Sequence, residues 1–230
     1  MITCSICETP NDDFAVLCVS CRSYLQAKVD NLNLFETVWG LMESPGRTFR
    51  RIVLSYHKNY VLLLSSLFGV FLVYAILWLK NVGHVFDNVL TLLGFGVVIG
   101  PFLGVLSVVL LSLLVGRLAS VFGGKLTFRN AYAVTSYAMI PTVIFLAVVF
   151  PIQIAIFGIY LFDRNPSPMV LQPAIYVALM SLCGLSVLWS WLLLVGGTSI
   201  AAHLRRGQSL VLAAVLMIVA GIVVYTVQQA

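Results

Sequence analysis

Five stretches of this chain hold no Asp, Glu, Lys, Arg or His: residues 60–79, 89–116, 137–162, 174–197 and 210–227. Each comes close to or exceeds the roughly 20 residues a helix needs to cross the hydrocarbon layer of a bilayer. No water is available there, so the backbone must satisfy its own hydrogen bonds, and α-helices do so within one segment. The pattern predicts an all-α membrane protein with a five-helix transmembrane bundle. Before the first stretch the pattern changes. Leu34, Val38, Leu41 and Met42 fall on one helical face, with Phe35 and Trp39 beside them and Glu36 and Glu43 opposite. This predicts a short amphipathic helix at the membrane interface, a depth that suits Trp39. Ser44-Pro45-Gly46 ends it, and a second short helix over 47–55 carries three arginines near the headgroups.

Composition agrees with the pattern. Hydrophobic residues make up 61% and charged residues 9% of the chain, against about 25% charged in ordinary soluble domains. The positions of the 13 Lys and Arg residues predict the topology. Six precede the first span, three (Arg117, Lys125, Arg129) lie between spans two and three, and Arg205 and Arg206 lie between spans four and five. Only Lys80 and Arg164 occupy the other two loops. By the positive-inside rule the N-terminus is cytoplasmic and the C-terminus outside, in a cytoplasmic (inner) membrane. The net charge of +5 is then mostly topological. It points to membrane lipids as partners, with a weak attraction to anionic headgroups, and not to nucleic acid. Residues 1–30 show no secretory signal, so the first span is expected to act as its own insertion signal.

The N-terminal 30 residues carry the clearest chemistry. Cys4-Ser-Ile-Cys7 and Cys18-Val-Ser-Cys21 are two C-x2-C pairs separated by ten residues. Each pair can turn both sulfurs toward one ion, and the spacer lets the pairs meet in a tetrahedral four-thiolate site for a structural Zn²⁺. So short a segment cannot bury enough apolar surface to fold alone, but structural zinc supplies about 10–16 kcal/mol. A rubredoxin-like iron site, a pair of disulfides and a metal-free tail are the competing readings. A reducing cytosol disfavours the disulfides. Cys183, inside span four, reads as a small packing residue. The chain thus divides into a zinc-ribbon-like domain at 1–30, interfacial helices at 31–58 after a polar linker at 28–33, and a membrane domain at 59–230.

Within the spans, Gly96, Gly100 and Gly104 form a stripe of small residues that lets another helix approach closely. The partner is either another span of the same bundle, the safer reading, or a second copy in a homo-oligomer. Pro101, Pro141 and Pro151 mark kinks or breaks. Thr127 is a candidate N-cap for a helix that runs along the interface over 131–138 before Pro141 opens the span proper. Lys125, Arg129, Tyr137, Pro141 and Gln153 are candidate contacts for a partner or a solute. No H-E-x-x-H, G-x-S-x-G or Walker loop occurs, and the spans contain no ionisable pair, so proteases, ATPases and proton-coupled machines are disfavoured.

The segment Pro45-Gly46-Arg47-Thr48-Phe49-Arg50-Arg51-Ile52 resembles the Pro-x-x-x-Phe-x-x-Ile entry of the bacterial Yip-domain (Rab/Ypt-interacting protein-like) family. Gly123-Gly124-Lys125-Leu126-Thr127-Phe128-Arg129, followed by Ser136 through Pro141, is similar to that family's central loop and third span. Trp189 through Leu194 and Arg206-Gly207-Gln208 resemble its closing region. The likeness covers about residues 35–228 and implies five spans, a cytoplasmic N-terminus and, in bacterial members, a frequent N-terminal zinc ribbon. The ribbon departs from the usual pattern at Glu8 and Arg22, where a glycine often follows each second cysteine. The expected function is that of a non-enzymatic scaffold or recruiter whose cytoplasmic ribbon and loops engage a protein partner. The alternative is a transporter or channel for an apolar or weakly polar solute or lipid.

Overall fold

A computed structural model describes residues 2–12, 14–26 and 31–229, and of Arg206 the backbone alone. The expected linker at 28–33 lies partly outside these residues, and of it Asn31, Leu32 and Asn33 are described. The chain separates into two compact units, Met1–Tyr60 and Val61–Ala230.

The first unit begins with a two-stranded antiparallel ribbon, β1 (Ile2–Thr3) and β2 (Pro10–Asn11), in which Ile2 pairs with Asn11. It continues into a helical hairpin, α1 (Leu34–Glu43) and α2 (Pro45–Leu54). Asn33 caps α1 by accepting from the Glu36 N–H, and Pro45 starts α2, where its missing N–H costs nothing. The two helices cross at Gly40, where an added Cβ would stand 2.6 Å from Thr48 Oγ1. Leu41, Phe49 and Ile52 fill the seam. Glu36 and Arg51 form an ion pair across it. Lys58 donates to the carbonyls of Ile52 and Val53, closing the C-terminus of α2 with a cation as the helix dipole favours. One detail of the amphipathic reading changes. Met42 does not share the buried face of Leu41; it is exposed, as are Phe35 and Trp39. These three follow i, i+4, i+7 spacing and form an apolar stripe pointing away from α2.

The second unit contains five helices long and apolar enough to cross a membrane. They are α3 (Val61–Lys80), α4 (Val89–Val121), the broken span α5 (Phe128–Ala138) with α6 (Ile140–Phe157), α8 (Pro173–Ala201) and α9 (Arg206–Gln229). A single turn, α7 (Pro168–Leu171), precedes α8. The helices run several residues beyond the uncharged stretches, because an α-helix continues into the headgroup layer until a turn stops it. Three of the stops share one geometry. Asn81, Gly123 and His203 take positive φ, and the N–H of the following residue bonds back five residues, to Leu77, Ala119 and Ser199.

The helix α3 is the most enclosed span. Its Gly69 meets Gly100 and Gly104 of α4 backbone to backbone, and Tyr74 lies against Gly96 while its hydroxyl donates to the Leu93 carbonyl at 2.8 Å. The Tyr74 ring also stacks on Phe150 of α6 at 4.6 Å between centroids. Pro101 and Pro151 sit inside α4 and α6 without ending them. The segment 131–138 is deeply packed. Ala131, Val134, Thr135, Ser136, Tyr137 and Ala138 of α5 are fully buried against α3, α4 and α8. This segment is therefore packed inside the helical bundle. Its small side chains permit close packing, and two of its hydroxyls find a partner there, with Ser136 Oγ 3.1 Å and Tyr132 Oη 3.2 Å from Ser65 Oγ.

Candidate metal centre

The site is built by two turns of nearly the same design. In the first, the Glu8 N–H bonds to the Cys4 carbonyl (3.0 Å) and the Cys4 N–H to the Thr9 carbonyl (3.1 Å). In the second, the Arg22 N–H bonds to the Cys18 carbonyl (3.0 Å) and the Cys18 N–H to the Ser23 carbonyl (2.9 Å). Each turn closes through a residue in the left-handed region, Glu8 at φ 56° and Arg22 at φ 57°. These are the two positions where the sequence lacks the usual glycine. The turn geometry is kept, and the chain bears the strain of a side chain in that conformation.

The turns bring all four sulfurs together, each within 4.8 Å of every other. Cys4 and Cys21 stand 3.6 Å apart, and Cys7 and Cys18 3.5 Å. A disulfide would place two sulfurs about 2.05 Å apart, so none of the four is bridged. A tetrahedron with metal–sulfur bonds of about 2.3 Å needs sulfurs about 3.8 Å apart. The donor set and its spacing therefore fit a tetrahedral metal ion. Cys4, Cys7, Cys18 and Cys21 would hold it, and four thiolates leave no open position for water or substrate.

Neighbouring polar groups prepare the thiolates. The side chain of Thr9, then its backbone, holds the Cys7 thiol down to about 6. Ser23, 3.1 Å from Cys4, lowers that thiol too, aided by the backbone of Cys7 and Ile6. Ser23 also pulls Cys21 down, but the Cys7 sulfur, burial and the Cys4 sulfur together outweigh it and keep the Cys21 proton bound more tightly than usual. Asn11, buried on β2, accepts the Val19 N–H at 2.8 Å and points its amide nitrogen at Cys18 Sγ, 3.6 Å away. Sequence reasoning singled out none of Thr9, Asn11 and Ser23. The signal for two of them was present, because Cys-x-x-Cys-Glu-Thr and Cys-x-x-Cys-Arg-Ser repeat the same hydroxyl two residues past the second cysteine.

The rest of the chain is characterised by its family. A model of the Yip1 domain matches residues 39–227. The chain belongs to the Yip1 domain family. The match begins within α1, and the four cysteines lie outside it. No match was found among curated proteins or among solved structures. Within the Yip1 domain the other candidate residues scatter. Gly96, Gly100 and Gly104 face α3, so the stripe packs inside its own bundle. Gly69, the partner of two of them, was not anticipated. Lys125 and Arg129 are exposed in the α4–α5 connection and the first turn of α5. Tyr137 is fully buried, and Pro141 occupies the first turn of α6. Gln153 is 3% exposed, with its amide nitrogen 3.7 Å from the Met180 sulfur of α8.

Proposed function

We propose that this Yip1-domain protein is a non-enzymatic membrane scaffold whose zinc-clipped N-terminal ribbon recruits a protein partner on the cytoplasmic side. One observation carries the reading. A closed four-sulfur site cannot turn over substrate, yet the turns it holds present apolar side chains outward, with Ile6 73%, Val19 75% and Tyr24 80% exposed. Ile6 and Val19 lie between the cysteines of their respective knuckles, so metal binding fixes both. Rigid, exposed apolar groups of this kind suit a protein interface. The α1 stripe of Phe35, Trp39 and Met42 supports anchoring at the lipid surface, and the bias of Lys and Arg supports the cytoplasmic orientation. Zinc is the proposed ion, since thiolates are soft ligands and nothing else in the sequence suggests redox chemistry.

The test is affinity capture from a native membrane extract in mild detergent, comparing the intact chain with Ile6→Asp/Val19→Asp and with Cys18→Ser. A partner retained by the intact chain and lost from both variants supports recruitment. Identical captures from all three reject it. A second reading, passage of a weakly polar solute, is favoured by one observation. The hydroxyls of Thr135, Ser190 and Thr198 and the Trp191 indole N–H, on α5 and α8, are buried without a partner among the described residues. Flux in reconstituted vesicles that falls in Thr135→Val or Gln153→Leu would favour this reading.

A further inference from the structure

The net charge of +5 has a location that the sequence count conceals. Residues 1–60 hold six basic and six acidic side chains and are neutral overall. In the membrane domain, one end of the bundle carries Lys80 and Arg164 balanced by Asp87 and Asp163. There Gly83 packs on the carbonyls of Ile159 and Phe162, and His84 lies 4.0 Å from Asp163. The opposite end carries Arg117, Lys125, Arg129, Arg205 and Arg206, and no acidic residue occurs in either connection there. The whole excess charge of the chain sits at this one end.

Topogenesis explains why cations are in these connections, but it does not require the connections to meet. In the structure they do. The side-chain amide of Gln208 donates to the Phe122 carbonyl at 3.0 Å while its oxygen accepts the Arg205 N–H at 2.8 Å. Gly124, next to Lys125, is so close to Ala202 that a Cβ there would stand 2.7 Å from the Ala202 carbonyl. Ser199 donates to Ser209 at 2.7 Å, tying the end of α8 to the start of α9. These contacts hold the 122–124 turn against Ala202 and Gln208, so the two basic connections meet, with Arg117, Lys125 and Arg205 exposed. The apolar helices end here, so the cations stand at headgroup depth. Like charges held together repel one another, and an anion between them relieves that cost.

We infer that the Arg117/Lys125/Arg205 end of the bundle is a binding site for the phosphate headgroup of anionic glycerophospholipids. The site is independent of the ribbon and of any protein partner. It differs from general attraction to a charged membrane, because a headgroup held by several cations should stay bound when the bilayer is removed.

The full-length protein in mixed micelles, with phosphatidylglycerol and phosphatidylcholine equimolar and matched in acyl chain, tests this by native mass spectrometry of retained lipid. The intact chain should retain phosphatidylglycerol about tenfold over phosphatidylcholine, and Lys125→Gln/Arg205→Gln should bring the ratio close to parity. Lys80→Gln/Arg164→Gln, which removes the same charge from the other end, should leave the ratio unchanged. If the first double variant does not keep its thermal midpoint, the single changes Lys125→Gln and Arg205→Gln should each lower the ratio by a smaller factor. Parity in the intact chain, enrichment that survives every basic-end change, or equal loss from both double variants would overturn the inference. Displacement of phosphatidylglycerol by millimolar inorganic phosphate would also overturn it, since the site would then serve an aqueous anion.

Discussion

The ribbon and the bundle solve the same problem, a backbone that must be ordered, with opposite means. In the ribbon few side chains are apolar and buried. Four sulfurs converge from two strained turns at Glu8 and Arg22, and a metal ion held by them would supply the order. In the bundle side chains from all five spans contribute, and order comes from helices whose hydrogen bonds are internal and whose glycines let α3 and α4 touch. The ribbon concentrates its stability in one site that a single atom can destroy. The bundle spreads it over many contacts, among them the close backbone approach of Gly69 to Gly100 and Gly104. Damage to either should therefore leave the other intact.

The largest effect expected is at the metal. Cys18→Ser, or a strong chelator, should lower bound zinc from about one equivalent to none and unfold residues 1–26, removing binding energy on the order of 10 kcal/mol. The helical circular dichroism of the bundle should hardly change. Elemental analysis and far-ultraviolet spectra read both halves, and a collapse of helicity on chelation would refute the independence of the two regions. Next in size is Gly104→Val, which drives a side chain into the Ser65 carbonyl and Gly69 of α3 and should cost about 3 kcal/mol. Its readout is the thermal midpoint in detergent, with zinc content unchanged.

A gain is expected from the strained turns. Glu8→Gly and Arg22→Gly should each relieve about 1 kcal/mol, seen as about fivefold tighter zinc in competition with a chromogenic chelator. No gain would mean that hydrogen bonds made by those side chains offset the strain. The smallest effect concerns Glu36. The Arg51 guanidinium holds its carboxyl below the usual value, so the pair supports the α1–α2 hairpin at neutral pH and that support is lost as pH falls through the lowered value. Both groups are well exposed, so Glu36→Gln should shift the neutral-pH midpoint only slightly and flatten its acid limb. An unchanged acid limb would assign the hairpin's stability to Leu41, Phe49 and Ile52 alone.

Much of this architecture was written in the residues because lipid and metal both impose simple rules. A bilayer admits only long uncharged helices, so the five spans were legible. Cysteines at C-x2-C spacing have few uses, so the convergence of these four was legible too. The family likeness read from Pro45–Ile52 and 123–141 is matched by the Yip1 domain over 39–227. The burial of 131–138 was not legible, because the sequence of α5 is only moderately apolar while its small residues suit the inside of a bundle.

What the chain determined by itself was the list of elements: rods the length of a membrane, a head with four clustered cysteines, and a hairpin with one apolar stripe. What only the tertiary structure decided was which faces meet. Gly69 became the partner of Gly100 and Gly104, α5 became core, and two basic connections far apart in sequence came together at one end of the bundle. Hydropathy acts on each segment separately and is visible in one dimension. Close approach and the convergence of like charges depend on several segments at once, and exist only once the helices have packed.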